Sequence, residues 1–222
     1  MKLFKNLKPV IAIDGTSVSG KGTLAKKLAK HLNYDHLDTG SLYRYVAYLK
    51  LIDNVDLKNT TGLRKKFNFG HIKKLDLRNE SITKLSSIVA KKEEIRIFLI
   101  DIQRNFANNP PSGLGSVIDG RDIGTVVVPS AEVKLFVDAN IVVRAKRRHI
   151  DLKTKGENLD YSLILKQIAE RDKRDKNRAI SPLIKHKEAL LIDTSKLTKE
   201  DSVKLALDLI KKTGKLKLIN YW

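Results

Sequence analysis

The sequence predicts an α/β fold in which a parallel sheet carries helices on both faces. Short apolar runs alternate with stretches of helical periodicity along most of the chain, a pattern typical of βα units that build a parallel sheet. The first apolar run, residues 10–13, leads into a glycine-rich turn at 15–23, and a helical pattern follows at 24–32. A strand, a glycine-rich turn and a helix in this order form the context of a phosphate-binding P-loop. We therefore expect a P-loop sheet.

The later elements continue this alternation. Strands are expected in the apolar runs at 34–37, 116–118, 133–137 and 190–192. Helices are expected where apolar residues recur at helical spacing, at about 40–51, in two stretches across about 83–108, and at about 141–152, 160–176 and 199–212. Between 51 and 83 the periodicity weakens. Alternating apolar residues there, Phe67 with Phe69 and Leu75 with Leu77, indicate a small two-stranded insertion.

Acidic residues follow several of the predicted strands. In a parallel α/β sheet, ligands bind beyond the carboxyl ends of the strands. The acidic residues expected to cluster near that edge are Asp14, Asp38, Asp119 and Asp193.

Length and composition agree with a cytoplasmic enzyme of one domain, although they do not require one. The 222 residues can bury a substantial core, and we expect a single P-loop domain over 1–222. The chain has no cysteine, which excludes disulfides and cysteine-zinc sites. Residues 1–9 are too short for the apolar region of a signal sequence, and no apolar run approaches the roughly 20 residues of a membrane helix.

The strongly basic composition bears on possible partners. A formal net charge of +19 and an isoelectric point near 9.9 favour polyanions such as nucleic acid, membrane surfaces or nucleotides. The lysines are scattered through the predicted helices, however, without the interleaved aromatic residues of a single-strand binder. A solvated lysine-rich surface is the favoured interpretation, and we expect no membrane partner and no specific nucleic acid.

The glycine-rich turn predicts a nucleoside triphosphate site. Its backbone N–H groups and the positive end of the following helix converge on one point, and Lys21 reaches the terminal phosphates. The alternative is a turn that only caps a helix. Thr23 stands one residue later than the hydroxyl that usually meets Mg²⁺, because Gly22 intervenes. The residues assigned to the nucleotide phosphates are Gly15, Thr16, Ser17, Val18, Ser19, Gly20, Lys21, Gly22 and Thr23.

Two further charged segments carry candidate site residues. Asp119–Thr125 reads Asp-Gly-Arg-Asp-Ile-Gly-Thr at the end of a predicted strand, and its acids and arginine suit a site that holds a phosphate and reads a base edge. An ion pair that closes a turn is the alternative. The segment 171–178, predicted on a helix, carries three arginines whose mutual repulsion a bound anion relieves. A solvated face compensated by aspartates is the alternative there.

Together these segments resemble the bacterial cytidylate kinases, a family of P-loop nucleoside monophosphate kinases, from about residue 10 to 210. The turn resembles the family's GxxGxGKGT form, and residues 38–44 resemble its DSGxxYR segment. Asp119–Thr125 with the two following valines resembles its DGRDxGTVV signature, and residues 171–182 resemble its RDxxDxxR helix. The P-loop alone indicates only phosphate binding, whereas the last two segments discriminate within the class.

The resemblance implies transfer of the γ-phosphoryl group of ATP to CMP, and to dCMP, with Mg²⁺ as the metal. It implies that Ser87, Arg96 and Asp122 contact the cytosine, where an acid accepts from the N4 amino group and an arginine donates to N3 and O2. Ser86 is the alternative to Ser87. It also implies a monophosphate-binding insertion at about 52–95, and the polar stretch at about 147–160 is expected to form a short lid.

The expected roles are as follows. Catalytic roles fall to Lys21, Arg121, Arg171 and Arg178. Arg147 and Arg148 join the P-loop in binding the donor. The acceptor is expected to contact Thr39, Arg44, Ser87, Arg96, Asp119, Arg121, Asp122, Arg171, Asp175 and Arg178. Helix capping is the alternative role for Thr39, and no side chain is assigned as a direct metal ligand.

Three departures from the family pattern qualify the resemblance. Val18 stands where the family usually has Gly. Because a β-branched residue resists positive φ, we expect an ordinary backbone there. Thr39 replaces a frequent Ser and keeps the hydroxyl. The segment between Arg44 and Arg96 is shorter than in the long bacterial form, which predicts a trimmed insertion.

Two other functions stay open at this point. One is a P-loop kinase for another small acceptor, such as UMP, although uracil carries a carbonyl where cytosine offers its amine to Asp122. The other is a non-enzymatic, basic nucleotide-binding or RNA-binding protein. For the kinase we expect a monomer whose partners are CMP or dCMP and ATP.

Overall fold

The computed structural model describes residues 8–72, 74–157 and 159–216. Its strands are β1 (Val10–Gly15), β2 (Asp35–Asp38), β3 (Ser116–Gly120), β4 (Val133–Asp138) and β5 (Leu190–Asp193). They form one sheet in the order β2-β3-β1-β4-β5. β1 pairs in parallel with β3 and β4, and β4 pairs in parallel with β5. The predicted α/β class is confirmed.

Helices connect the strands as the alternation predicts. They are α1 (Lys21–Leu32), α2 (Thr39–Ile52), α3 (Thr60–Lys66), α4 (Phe69–Ile72), α5 (Glu80–Val89), α6 (Glu93–Asn108), α7 (Ile141–Thr154), α8 (Tyr161–Asn177) and α9 (Lys199–Thr213). A short π-helical turn at Ile123–Val127 follows β3. None of the described helices has the length and apolar content needed to cross a membrane.

The chain divides into two compact units. The first contains the residues up to Leu37 and those from Ala107 onward, and it includes β1, β3, β4, β5, α1 and α7 to α9. The second contains Asp38–Phe106, with α2 to α5 and most of α6.

The core of the first unit lies around the central strand. β1 is buried along its whole length, as expected for a strand with parallel neighbours on both sides. Ile11 and Ile13 pack in one cluster with Leu28 of α1 and with Ala206 and Ile210 of α9. This packing fixes the end of β1, where the glycine-rich turn begins.

The predicted two-stranded insertion is wrong. The described residues between β2 and β3 contain helices and no strand. Phe67 caps the end of α3 and Phe69 begins α4, whereas Leu75 and Leu77 lie between α4 and α5. Asn59 caps α3 by accepting a hydrogen bond from the backbone N–H of Gly62 at 2.9 Å. The Phe67 ring packs edge-on against Tyr45 and Phe98, with centroids 5.2 and 5.3 Å away. Aromatic packing in this unit therefore explains a spacing that resembled strand alternation.

Candidate active site

The glycine-rich turn joins β1 to α1 as predicted. β1 ends at Gly15 and α1 begins at Lys21. A Cβ at Gly15 would lie 2.0 Å from the carbonyl oxygen of Val137, so only glycine permits this approach to β4. Gly20 has φ +85°, a left-handed conformation that glycine adopts without a Cβ clash. The turn therefore depends on glycine at both ends.

The expectation of an ordinary backbone at Val18 is wrong. Its φ is +57°, in the left-handed region, where a β-branched residue is strained. Its side chain packs against the apolar cluster between α7 and α8, formed by Ala145, Leu152, Ile164 and Ile168. No local sequence pattern predicts this packing, because α7 and α8 lie more than a hundred residues after Val18.

Side chains from the surrounding elements hold the turn. The Thr16 hydroxyl donates to Oδ1 of Asp138 at 2.6 Å, and the Thr194 hydroxyl donates to the carbonyl oxygen of Ser19 at 2.8 Å. Asp172 of α8 accepts from the hydroxyl of Ser17 at 3.1 Å. Side chains at the end of β4, just after β5 and on α8 thus hold the turn by hydrogen bonds.

Lys21 lies beside the acidic end of β3. Its Nζ is 3.9 Å from Oδ2 of Asp119, and Nε2 of His36 is 2.8 Å from the other oxygen of the same carboxylate. The Asp119 side chain is only 3% exposed. The segment at 119–125 and the P-loop therefore lie together, as expected for segments that follow the carboxyl ends of neighbouring parallel strands.

Asp14, at the end of β1, positions the π-helical turn. Its carboxylate accepts backbone hydrogen bonds from Ile123 and Gly124, both at 2.8 Å. Burial raises the pKa of Asp14 to about 6, although these two backbone bonds act to lower it. The carboxylate thus fixes the backbone that immediately follows Asp122.

The two acids and two arginines of the charged segments pair with one another. Nε of Arg121 donates to Oδ2 of Asp175 at 2.8 Å, and Arg178 lies 3.6 Å from Oδ1 of Asp122. Burial acts to raise the pKa of Asp175, but the charge and hydrogen bond of Arg121, with the charges of the two other arginines nearby, hold it below its ordinary value. These pairs bring together the DGRD segment and the arginine segment.

The arginine segment is only partly helical. α8 ends at Asn177, and Arg178 follows it in an extended conformation with φ −68° and ψ 140°. The prediction that all three arginines share one helix is therefore wrong for Arg178, whose Nε donates to the carbonyl of Ser181. Arg174 is exposed, as the solvated-face alternative expects.

Arg147 and Arg148 occupy different environments on α7. The Arg147 guanidinium donates to the Thr194 carbonyl at 2.6 Å and to its hydroxyl at 3.0 Å, beside the P-loop. Arg148 pairs with Asp151 at 3.0 Å on the surface, with 39% of its side chain exposed.

In the second unit, the start of α2 carries two of the acceptor candidates. Asp38 is the N-cap of the helix and accepts from the backbone N–H of Ser41 at 3.3 Å. The capping alternative for Thr39 is therefore wrong, since Thr39 is the first helical residue and is 4% exposed. Arg44 donates to Oδ2 of Asp38 at 2.8 Å, while its Nε is buried and has no hydrogen-bond partner among the described residues.

The base candidates of the second unit lie on α5 and α6. Arg96 is 2% exposed, and its guanidinium carbon lies 5.9 Å from the ring centroid of Tyr43. Ser86 is buried, whereas Ser87 is partly exposed; both hydroxyls donate to the Thr83 carbonyl, at 2.8 and 3.4 Å. The longer bond leaves Ser87 the more available of the two.

The sequence also matches a family of known proteins. Residues 11–212 match the family model described as cytidylate kinase. The chain belongs to the cytidylate kinase family. A cytidylate kinase of Paramagnetospirillum magneticum is 42% identical over 208 residues, covering 92% of this chain and 98% of that protein. One of Bradyrhizobium diazoefficiens is 44% identical over 204 residues, covering 90% and 95%.

Solved structures support the fold alone. An uncharacterized protein from Eubacterium ventriosum has a TM-score of 0.56 at 18% identity, covering 92% of this chain and 99% of that one. TT1252 from Thermus thermophilus has a TM-score of 0.51 at 17% identity, covering 93% and 97%.

Sequence reasoning missed several residues around the P-loop. Asp138 ends β4 and Thr194 follows β5. Both could have been predicted in the same way as Asp14, from their position at the carboxyl end of a strand. The charge pattern at 171–178 gives no sign that Asp172 is buried and bound to Ser17 of the P-loop. No sequence pattern links His36 to Asp119, although the two side chains are 2.8 Å apart.

Proposed function

We propose that this protein transfers the γ-phosphoryl group of ATP to CMP, and to dCMP, giving CDP or dCDP and ADP. Membership of the cytidylate kinase family supports the reaction class. The observation that carries the proposal is the position of Asp119, 3.9 Å from the P-loop lysine, because it brings the family's DGRD segment to the loop that binds the donor.

The donor would be bound by the backbone of residues 15–23 and by Lys21. The N–H groups of the turn and the N-terminus of α1 attract phosphate oxygens, and Lys21 adds a positive charge at the transferring group. Arg147 is proposed to contact the donor because it lies beside the turn, with one terminal nitrogen 3.9 Å from the position of a Cβ on Gly20. Donor binding by Arg148 stays a prediction that the sequence alone supports.

The acceptor phosphate would be bound by arginines. We assign Arg121, Arg171 and Arg178 to it, because a planar guanidinium binds phosphate oxygens bidentately. Asp175 holds Arg121 in place through its 2.8 Å hydrogen bond. Arg44 is assigned to the same phosphate, and its buried Nε supplies a donor that has no hydrogen-bond partner among the described residues. Thr39 is also proposed to contact the acceptor.

The base would be read by Asp122, Arg96 and Ser87. The Asp122 carboxylate accepts from the cytosine N4 amino group, and Arg96 donates to the ring acceptors. Asp122 also pairs with Arg178 at 3.6 Å. A carboxylate faces repulsion from a uracil carbonyl, which is why we favour CMP over UMP.

Mg²⁺ is proposed to arrive with the donor phosphates. The described residues contain no group of three His, Cys, Asp or Glu side chains that could form a cage, which fits a metal held largely by phosphates and water. Asp14 and Asp119 would hold its waters, and Asp119 lies 3.9 Å from the P-loop lysine. The metal would neutralise charge on the donor phosphates.

The protein's contribution is alignment and charge. Phosphoryl transfer asks little covalent chemistry of side chains, because charge is spread over the oxygens of the moving group. Lys21 and the arginines balance that charge, while Asp175 and Asp14 hold arginine and backbone donors in position. The stretch at about 147–160 is proposed as a lid that excludes water, and residues 52–95 as the monophosphate-binding insertion.

The test is ADP release with CMP, dCMP, UMP and AMP as acceptors. The proposal expects turnover with CMP and dCMP that is far above turnover with UMP or AMP. Efficient use of UMP would replace it with the other kinase function. Absence of turnover with every acceptor, together with RNA binding that falls steeply with salt, would favour the non-enzymatic alternative. Cytoplasmic location and a monomeric state stay predictions.

A further inference from the structure

Ser17 of the P-loop is held on both its side chain and its backbone. Oδ1 of Asp172 accepts from the Ser17 hydroxyl at 3.1 Å and from the Ser17 backbone N–H at 3.4 Å. Arg144 donates to the Ser17 carbonyl at 3.1 Å. All the polar groups of one loop residue are thus bound by two side chains from outside the loop.

Asp172 and Arg144 are themselves paired and buried. Their closest oxygen and nitrogen are 2.6 Å apart, with 10% and 6% of the side chains exposed. Nε of Arg144 donates to the Ala139 carbonyl at 2.8 Å, which fixes the guanidinium to the start of α7. A buried ion pair of this kind has little freedom to rearrange, so it presents a rigid surface to Ser17.

The next residue is the strained one. Val18 has φ +57°, and a non-glycine residue holds such a conformation only where its surroundings determine it. Its side chain packs into the cluster between α7 and α8. On the other side, the Ser19 hydroxyl donates to the Thr16 carbonyl at 3.0 Å and Thr194 binds the Ser19 carbonyl.

We propose that Asp172 and Arg144 are positioning residues that hold the P-loop of this chain in its nucleotide-binding conformation despite the strain at Val18. The inference rests on the proposed function only in that the loop binds ATP. A glycine at position 18 would adopt the left-handed conformation without help. With valine there, the conformation depends on the ion pair and on apolar packing, both of which come from α7 and α8.

This arrangement also connects the two phosphate sites. α8 carries Arg171 and Asp175 as well as Asp172, and Asp175 holds Arg121. One rigid helix therefore positions the loop assigned to the donor and the arginines assigned to the acceptor. On this proposal, Asp172 sets part of the in-line alignment that phosphoryl transfer requires, although it is assigned to neither nucleotide.

The test measures the affinity of the protein for a fluorescent N-methylanthraniloyl derivative of ATP, without any acceptor. Asp172→Asn keeps the size of the side chain and removes its charge, and we expect the Kd to rise about tenfold or more, because a small displacement of positioned groups has large effects. The decisive variant is Asp172→Asn combined with Val18→Gly. Since glycine removes the strain, the double variant should bind several-fold more tightly than Asp172→Asn alone.

A purely structural role predicts the opposite for the double variant. Val18→Gly also removes apolar packing, so it would then weaken binding further or leave it unchanged, and either result would overturn the proposal. Leu99→Ala is the matched control, because it removes a buried side chain from α6 in the second unit, whereas the loop belongs to the first. It should lower Tm and leave the Kd unaltered.

Should Asp172→Asn show no cooperative unfolding, Ser17→Ala gives the same test with the ion pair intact. It removes only the 3.1 Å hydroxyl bond; the Kd should rise about two- to threefold, and Val18→Gly should reverse the rise. A rise that Val18→Gly does not reverse contradicts the proposal. A wild-type protein that binds the ATP derivative but does not phosphorylate CMP would overturn the proposed function and leave this inference standing.

Discussion

Arg121 donates through Nε to Oδ2 of Asp175 at 2.8 Å, which joins the end of β3 to the last turns of α8. The bond uses one edge of the guanidinium, and one nitrogen of the other edge donates to the Gly120 carbonyl at 3.2 Å. Arg121 is therefore fixed in direction before any ligand binds. Its remaining donors are the ones available to an acceptor phosphate.

Replacing Arg121 by Lys tests this fixed geometry. Lysine keeps the charge but loses both the Nε bond to Asp175 and the planar fork, so kcat/KM for CMP should fall about tenfold or more. Steady-state kinetics at saturating ATP measure the change. Arg174→Lys is the control, because Arg174 is an exposed residue of α8 without an assigned role and should have no effect. Equal kcat/KM values for wild type and Arg121→Lys would indicate that Arg121 has only a structural role.

Lys21→Ala should abolish most turnover and leave the fold intact. A charge directed at the transferring phosphates contributes about 10²–10³ in rate, and its removal from the first turn of α1 costs little packing. Lys27→Ala on the same helix removes a lysine that pairs with Glu200 on the surface and should keep wild-type kcat. More than a tenth of wild-type kcat in Lys21→Ala would contradict the P-loop assignment.

The pH dependence of stability should report on Asp14. Its folded pKa of about 6 lies above the ordinary value of 3.8, so the folded state holds a proton that the unfolded state releases between these values. Stability is favoured where Asp14 is protonated and declines as pH rises from about 4 towards 7. Relative to Asp14→Asn, which cannot ionise, the wild type should lose about 2 kcal/mol of unfolding free energy over this range.

Urea unfolding of both proteins at pH 4.5 and 7.5 measures this difference. Asp175 does not interfere, because its lowered pKa changes stability only below its ordinary value, 3.8. A wild-type-minus-variant difference that is the same at both pH values would show that Asp14 titrates normally.

Much of the fold follows from local patterns, and the exceptions have physical causes. Strands β1, β3 and β4 are read correctly because buried parallel strands are continuous apolar runs, and Asp14 and Asp119 are found because they end such strands. The strand prediction near Phe67 fails because the same alternation satisfies aromatic packing between helices. Local pattern alone does not distinguish the two.

Some residues of the candidate site could be predicted from the sequence, and others could not. Lys21, Arg121 and Asp122 belong to contiguous motifs and could be found from the sequence. The conformation of Val18 could not, because it depends on α7 and α8, more than a hundred residues later in the chain. Asp172 and Arg144 were hidden for the same reason, since their surface-like charge pattern gives no sign of burial.

Gly15→Ala should be far more destabilising than a substitution at another unusual glycine. The added Cβ would lie 2.0 Å from the Val137 carbonyl oxygen, so β1 and β4 must separate, at a cost of about 3 kcal/mol. Gly214→Ala also faces a positive φ, +62°, but meets no atom within 4 Å, and should cost about 1 kcal/mol. Thermal and urea unfolding compare the two; similar losses would mean that the strands adjust freely.

The ratio of kcat/KM for CMP to kcat/KM for UMP, in wild type and in Asp122→Asn, tests the proposed function most directly. Wild type should favour CMP strongly, because polar mismatch of this kind reaches roughly 10⁴ in favourable sites. Asn can turn its NH₂ group towards a carbonyl, so the variant should stay active with a much smaller ratio. A wild-type ratio near one, or an undiminished ratio in a folded and active variant, would contradict cytosine recognition by Asp122 and leave its ion pair with Arg178 as its role.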